Sequence, residues 1–369
     1  MTTPPTGQWP PPSQGPPPPS PQGPPWGPQP AGSRSGGAAK WILGGLALLV
    51  VVVVSVVATL LVTRGGDSAG PPAATAPPAT KPADTTSLAS ADDDGPVEII
   101  TEDPTCAAWS PIGETLSAQA SKGWNDRDPS ISASEWTTDQ RTQQQAIADA
   151  MRSAADETAS LVKLTPHRVM RELYEQSIAY WRAYADAIPT YSQEDDHLAR
   201  VATATSNAIT YICSAITYGS AAARAPLVSP ALAPLKVAPP SEPGNPVRYV
   251  NEPLSVCNSW IAAASKFDAD TAEWLETDPN IPASQWSAEQ QAIYERMPSI
   301  MGSSAGEIGN LGAQSLNPVF EDFALLASQY RWAFVQSIPT YVPADGYIAN
   351  VAAELVAANG QACRAVGVQ

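Results

Sequence analysis

Apolar positions follow three regimes along this chain. None cluster in residues 1–38, where Pro, Gly, Ser and Gln dominate and only two Trp interrupt. Residues 41–63 (WILGGLALLVVVVVSVVATLLVT) form an unbroken apolar run of 23 residues without a charge. From residue 105 onward apolar residues recur at helical spacing, in two rounds. Met170, Leu173, Tyr180, Tyr184 and Ile188 lie three, seven, four and four apart, which keeps them on one helical face. Phe320, Phe323, Tyr330, Phe334 and Ile338 repeat that stripe 150 residues later. A further helix carries Leu198, Val201, Thr205, Ala208 and Ile212, repeated as Ile348, Val351, Leu355, Ala358 and Ala362.

The repetition extends to punctuation. CAAW at 106–109 returns as CNSW at 257–260, DPSISASEW at 128–136 as DPNIPASQW at 278–286, and IPTY at 188–191 as IPTY at 338–341. Such a run of landmarks at offsets of 150–152 marks a tandem duplication of a unit of about a hundred residues, a common domain size. Thr137 with Gln140, and Ser287 with Gln290, have the spacing of capping boxes opening a helix. Trp136 and Trp286 precede them, but Arg141 and Gln291 stand where a hydrophobic staple needs an apolar partner. Pro189 and Pro339 end the third helix, because the residue before a proline resists the α region. The expectation is all-α: two tandem four-helix units, each an antiparallel bundle with its first and last helices adjacent.

The 23-residue run would span about 34 Å as a helix, enough for a hydrocarbon core of about 30 Å. It exceeds the apolar core of a cleaved signal peptide, some 40 residues precede it, and no A-x-A site follows closely. It therefore reads as a single uncleaved anchor. Arg34 and Lys40 on its N-terminal side against Arg64 on the other place the tail in the cytoplasm. All four cysteines lie beyond the run, consistent with an oxidising compartment there. Of the three pairings that four cysteines allow, the repeat favours Cys106–Cys213 and Cys257–Cys363, each closing one copy.

The domain layout expected is a disordered cytoplasmic tail (1–38), a transmembrane helix (41–63), a disordered stalk (65–104), helical repeat 1 (105–222), a Pro-rich linker (223–253) and helical repeat 2 (254–369). The tail has polyproline II character and suits an aromatic-lined Pro-recognition groove, or is a solvated tail only.

Charge narrows the partners. Beyond Arg64 the chain carries 17 basic residues against 36 acidic, which disfavours nucleic acid and anionic headgroups. The second copy is the more acidic, with 3 basic residues against 12 acidic over 257–363, compared with 9 against 14 over 106–213. No C-x-x-C, Cys/His cluster, G-x-S-x-G, phosphate loop or H-E-x-x-H pattern occurs, and the two histidines, His167 and His197, are not repeated. Neither metal, cofactor nor catalysis is expected. One constellation recurs: Trp124 ahead of Asp128-Pro, and Trp274 ahead of Asp278-Pro. Trp124, Asp128, Trp274 and Asp278 are accordingly the candidate contact residues. An exposed Trp beside carboxylates suits a sugar face, a cation or a basic partner. The competing reading is structural, with Asp-Pro starting a turn and Trp packing on the bundle.

In layout, a Pro/Gly/Gln-rich tail, one Ala/Val/Leu anchor, an Ala/Thr/Pro/Asp stalk and a Cys-bracketed helical ectodomain, the chain resembles actinobacterial single-pass membrane proteins of the mycobacterial type. The resemblance implies a plasma-membrane anchor with the C-terminal part in the cell envelope, and carries over no catalytic residue. The function expected is binding or scaffolding of an envelope protein, glycan or lipid. A transmembrane sensor acting through the tail and a helical lipid or small-ligand carrier are the alternatives.

Overall fold

The computed structural model describes residues 88–234 and 236–368. The expected tail, the apolar run 41–63 and the stalk up to residue 87 lie outside the described residues. Among the described residues no helix is long and apolar enough to cross a membrane, and all regular elements are helical.

Copy 1 consists of α1 (Cys106–Ala120), α2 (Thr138–Thr158), α3 (Arg168–Ala187) and α4 (Asp196–Thr217), followed by the short α5 (Ser220–Arg224). Copy 2 consists of α6 (Cys257–Leu275), α7 (Ala288–Gln314), α8 (Pro318–Ser337) and α9 (Gly346–Arg364). Both capping boxes form: Gln140 and Gln290 donate their amides to the hydroxyls of Thr137 and Ser287, and each Gln side chain accepts from the cap's own N–H. Such caps are each worth about 1 kcal/mol. The missing staple partner at Arg141 has a polar substitute. Its guanidinium lies 5.9 Å from the Trp136 ring and donates to the Ala133 carbonyl.

The repeated stripes face inward. Every residue of the α3 and α8 stripes, and of those on α4 and α9, is buried. Disulfides Cys106–Cys213 and Cys257–Cys363 join the first and last helices of each copy, with Cα atoms 5.4 and 5.5 Å apart. IPTY is a helix end running into a single 3₁₀ turn. Its tyrosine locks the Asp-Pro loop: Tyr191 donates to the Pro129 carbonyl and Tyr341 to that of Pro279, while Ala133 and Ala283 return a backbone bond to each tyrosine.

The copies do not stand apart; the described residues of both belong to one compact unit. α4 and α9 pack antiparallel along their length. His197 bonds Gln361 at 2.8 Å, and Tyr211 packs on Tyr347 with ring centroids 6.4 Å apart. Gln361 is the counterpart of Tyr211 and Tyr347 that of His197, each at an offset of 150. These two contacts are therefore related by a pseudo-twofold axis, as in an isologous homodimer. Arg224 adds a bidentate tie from α5 to Asp345 of copy 2, at 2.9 and 2.8 Å.

The stalk expected over 65–104 does not extend to residue 104. Residues 88–104 pack on the helices and bury Val97, Ile99 and Ile100. The repeat itself begins earlier than its cysteines, since Pro96-Val97, Ile100 and Glu102 recur 150 residues later as Pro246-Val247, Val250 and Glu252. Each copy thus opens with a non-helical arm, and the arms cross over. Tyr180 of copy 1 is directed at the backbone of Val250, and Tyr330 of copy 2 at that of Ile100.

Candidate functional site

The four residues singled out by the sequence divide into two structural roles. Trp124 and Trp274 are core residues. The Trp124 indole donates to the Tyr184 hydroxyl at 3.2 Å, meets its ring edge-on and is covered by the Arg127 guanidinium at 3.6 Å. Trp274 packs edge-on against Phe334 and Tyr294. Neither indole presents a face to solvent. Asp128 and Asp278 are exposed, and each closes its own turn. Asp128 accepts from the N–H and hydroxyl of Ser130, which hold its carboxyl below the usual range. Asp278 accepts from the N–H and side-chain amide of Asn280. The structure does not assemble Trp and Asp into one contact surface, because the Trp is spent on the bundle interior.

The chemistry concentrates instead where the copies meet. Arg168, the first residue of α3, donates to Asp322, at the start of the second turn of α8, at 2.7 and 3.2 Å; both side chains are buried. Arg168 also reaches the carbonyls of Asp93 and Gly95 in the first arm, and Asp93 accepts from the Arg168 N–H. That carboxylate satisfies one of the free amides at the N-terminus of α3. Glu172 lies one turn further on. Burial, and then the neighbouring Asp322 charge, push its carboxyl well above the ordinary value against the pull of Arg171 and Arg168. Asp322 is also raised by burial, opposed by the Arg168 guanidinium. Arg168–Asp322 is the closest ion pair of the cluster, while Glu172, 3.7 Å from the Arg171 guanidinium, is the carboxyl whose neutral form burial favours most. Arg171 and Glu175 complete it on the linker side, where Glu175 accepts from the Ser241 N–H at 3.1 Å.

Beside this cluster runs a groove of about 460 Å³ between the first arm and the start of α3, lined by Asp92, Val97, Glu98, Ile100, His167 and Val169 among others. Asp92, Asp94, Glu98 and Glu102 are exposed along the arm. His167 bonds the Glu102 carbonyl at 2.8 Å and pins the arm's far end. Sequence reasoning missed this region because the arm is rich in Pro, Gly and Asp and reads as stalk. The signal that would have found it is the doubled Pro-Val at 96–97 and 246–247.

A small number of residues make the two copies unequal. Copy 1 reads Trp181-Arg182 where copy 2 reads Arg331-Trp332. Trp181 is buried and stacks on Trp109, with Arg182 outside on Asp156. In copy 2 the order is inverted, so the cation goes inside. Arg331 is 5% exposed, donates to Ser304 and lies 3.8 Å over the Phe267 ring. Burial lowers it to about 10. Trp332 stays half-exposed against Gly302, where a Cβ would meet the indole at 2.8 Å.

A helical pseudo-dimer with a charged seam and two crossing arms is the class of molecule this geometry defines. The chain belongs to the family described as Mycobacterial ESX-1 associated protein, which it matches over residues 88–367. That span coincides with the described fold, arms included. It is also 49% identical to an uncharacterised protein of Mycolicibacterium smegmatis (strain MKD8), over 99% of this chain and 97% of that one. No solved structure matches it.

Proposed function

We propose that this protein is a membrane-anchored, non-catalytic interaction module of the mycobacterial envelope, and that its folded unit associates with an ESX-1-type secretion apparatus. The observation that carries the reading is the extent of the family match, which begins at the first arm and ends in the last helix. That extent supports an association made by the folded unit rather than by the Pro-rich tail. The architecture suits a scaffold: two disulfide-closed bundles fused through a buried seam resist deformation and present fixed surfaces. The apolar run 41–63 supplies the anchor in this reading, with the tail in the cytoplasm and the four cysteines outside.

Two measurements test it. In mycobacterial cells, an affinity-tagged full-length chain co-purifies with ESX-1 components from solubilised membranes, a chain lacking 1–38 still does, and a chain lacking 88–368 does not. Retention of the components by the tail and anchor alone overturns the assignment. Protease added outside intact spheroplasts removes the folded unit and spares an epitope at the N-terminus; the reverse pattern overturns the orientation.

A further inference from the structure

The inverted dipeptide of copy 2 places a buried cation behind a cavity. In copy 1 the position is filled by Trp181, which is buried and stacks on Trp109 with ring centroids 6.2 Å apart. Copy 2 has Arg331 there, and Ser304 where copy 1 has Ala154, each at an offset of 150. The two differences meet in space. The Arg331 guanidinium donates to the Ser304 hydroxyl oxygen and lies 3.8 Å over the Phe267 ring. Ser304 and Phe267 both line a cavity of about 230 Å³ between α6 and α7. Copy 1 shows that an apolar side chain serves the bundle at this position, so packing does not call for the arginine. A desolvated cation costs stability unless it is compensated. Asp268 and Glu307 pull on Arg331, yet burial prevails and lowers it to about 10. The chain therefore leaves this charge under-compensated.

Ser304 passes that charge on to the cavity. Its oxygen accepts from Arg331, so its hydrogen is left to donate, and a hydroxyl polarised by a cation is a stronger donor. Ser303 adds a second hydroxyl to the lining, and Phe267 and Ile300 supply apolar wall. Lys266 and Asp270 line the cavity too, but they are exposed and paired with each other. Glu307 is then left to repel any second negative charge on an occupant. The volume lies below the range of about 300–1,000 Å³ that takes drug-sized ligands, so the occupant is small. We propose that this cavity binds a small monocarboxylate, its carboxylate accepting from Ser303 and Ser304 in the field of Arg331 and its apolar body resting on Phe267 and Ile300. The proposal goes beyond the scaffold reading and does not depend on it. It assigns copy 2 a ligand site that copy 1, with Trp181 and Ala154, is not built to form.

The probe is 4-fluorobenzoate, followed by its fluorine NMR signal as detergent-solubilised full-length chain is added. Saturable binding is expected. 4-Fluorobenzamide has the same shape without the charge and binds about tenfold more weakly, because a hydrogen bond to a charged acceptor is the stronger one. Ser304→Ala and Arg331→Met each weaken 4-fluorobenzoate by about tenfold while unfolding stays cooperative. Glu307→Gln removes an exposed repelling charge and tightens it by about twofold. If Arg331→Met does not fold, Ser304→Ala and Glu307→Gln decide alone. Equal binding of the acid and the amide reduces the contact to apolar burial and overturns the proposal. Absence of saturable binding overturns it too. So does an affinity unchanged in both Ser304→Ala and Glu307→Gln, which would put the acid elsewhere on the chain. None of these failures touches the co-purification test, which reads the whole folded unit.

Discussion

Glu172 and Asp322 occupy the same position in the two copies and lie within electrostatic reach of each other, on the pseudo-twofold axis. In a symmetric homodimer that position would bring two identical acids together. Duplication lets the pair differ: Asp322 is bonded directly to the Arg168 guanidinium, whereas burial pushes the Glu172 carboxyl well up, towards its neutral form. Removing one partner of a buried ion pair costs about 3–5 kcal/mol, because the other charge is stranded. Asp322→Ala is expected to lose that much in denaturant unfolding. Glu172→Gln puts a neutral amide where burial favours the neutral acid, and is expected to stay within about 1 kcal/mol at neutral pH. Equal losses for the two variants would show Glu172 to be charged.

The seam between α4 and α9 carries its own titrating group. Glu354 accepts from the Asn207 amide at 3.0 Å, and burial raises its carboxyl from 4.5 to about 7. Between those values the folded state holds a proton that the unfolded chain releases, so stability falls as pH rises through that window. Glu354 is only half-buried by exposed surface, which tempers the size; a loss of about 1–3 kcal/mol between pH 4.5 and 7.5 is expected. Glu354→Gln keeps the bond to Asn207 and removes that pH dependence. A variant with an unchanged slope would assign the dependence to another group.

Leu316 is the one non-glycine residue with positive φ among the described residues, at 58°, and it is 89% exposed. A left-handed conformation costs an L-residue about 1 kcal/mol, and an exposed leucine gains little packing in return. Leu316→Gly is therefore expected to stabilise the fold by up to about 1 kcal/mol, visible as a raised unfolding midpoint. Its counterpart in copy 1, just before the N-cap His167 of α3, is Pro166, whose ring fixes a negative φ, so the left-handed conformation is confined to copy 2. Destabilisation at 316 would show that its side chain is held after all.

What the sequence made legible was whatever repeats with helical period or fixed spacing. The stripes on α3, α4, α8 and α9, the two capping boxes, the two disulfides and the IPTY helix stops are all where periodicity and pairing put them. The arms were not, because a short non-helical stretch carries no periodic pattern that stands out from Pro-rich surroundings. The seam could not be read either. Its partners, such as His197 and Gln361, lie 164 residues apart and match only through an axis that one copy does not contain. Trp124 and Trp274 stood out by chemistry and spacing, and both spacing and burial turned out to serve the core.

The inverted dipeptide in copy 2 yields the sharpest prediction. Arg331 is buried with no carboxylate within salt-bridge distance among the described residues, although Asp268 and Glu307 exert a longer-range pull. Its guanidinium is desolvated for one hydrogen bond to Ser304 and one aromatic face. Replacing a buried charge by an apolar side chain of similar length is often neutral or stabilising, by about 1–4 kcal/mol. Methionine retains the reach over Phe267 and adds a sulfur–aromatic contact, while the Ser304 hydroxyl can turn back to its own helix. Arg331→Met is therefore expected to raise stability, most visibly at low salt, where the cation has least help from counter-ions. A loss above about 1 kcal/mol would overturn this, since it would mean that Asp268 and Glu307 compensate the charge in full. Asp268→Asn in the Arg331→Met background then separates the two acids: if Asp268 is the compensating group, its removal is harmless once the arginine is gone.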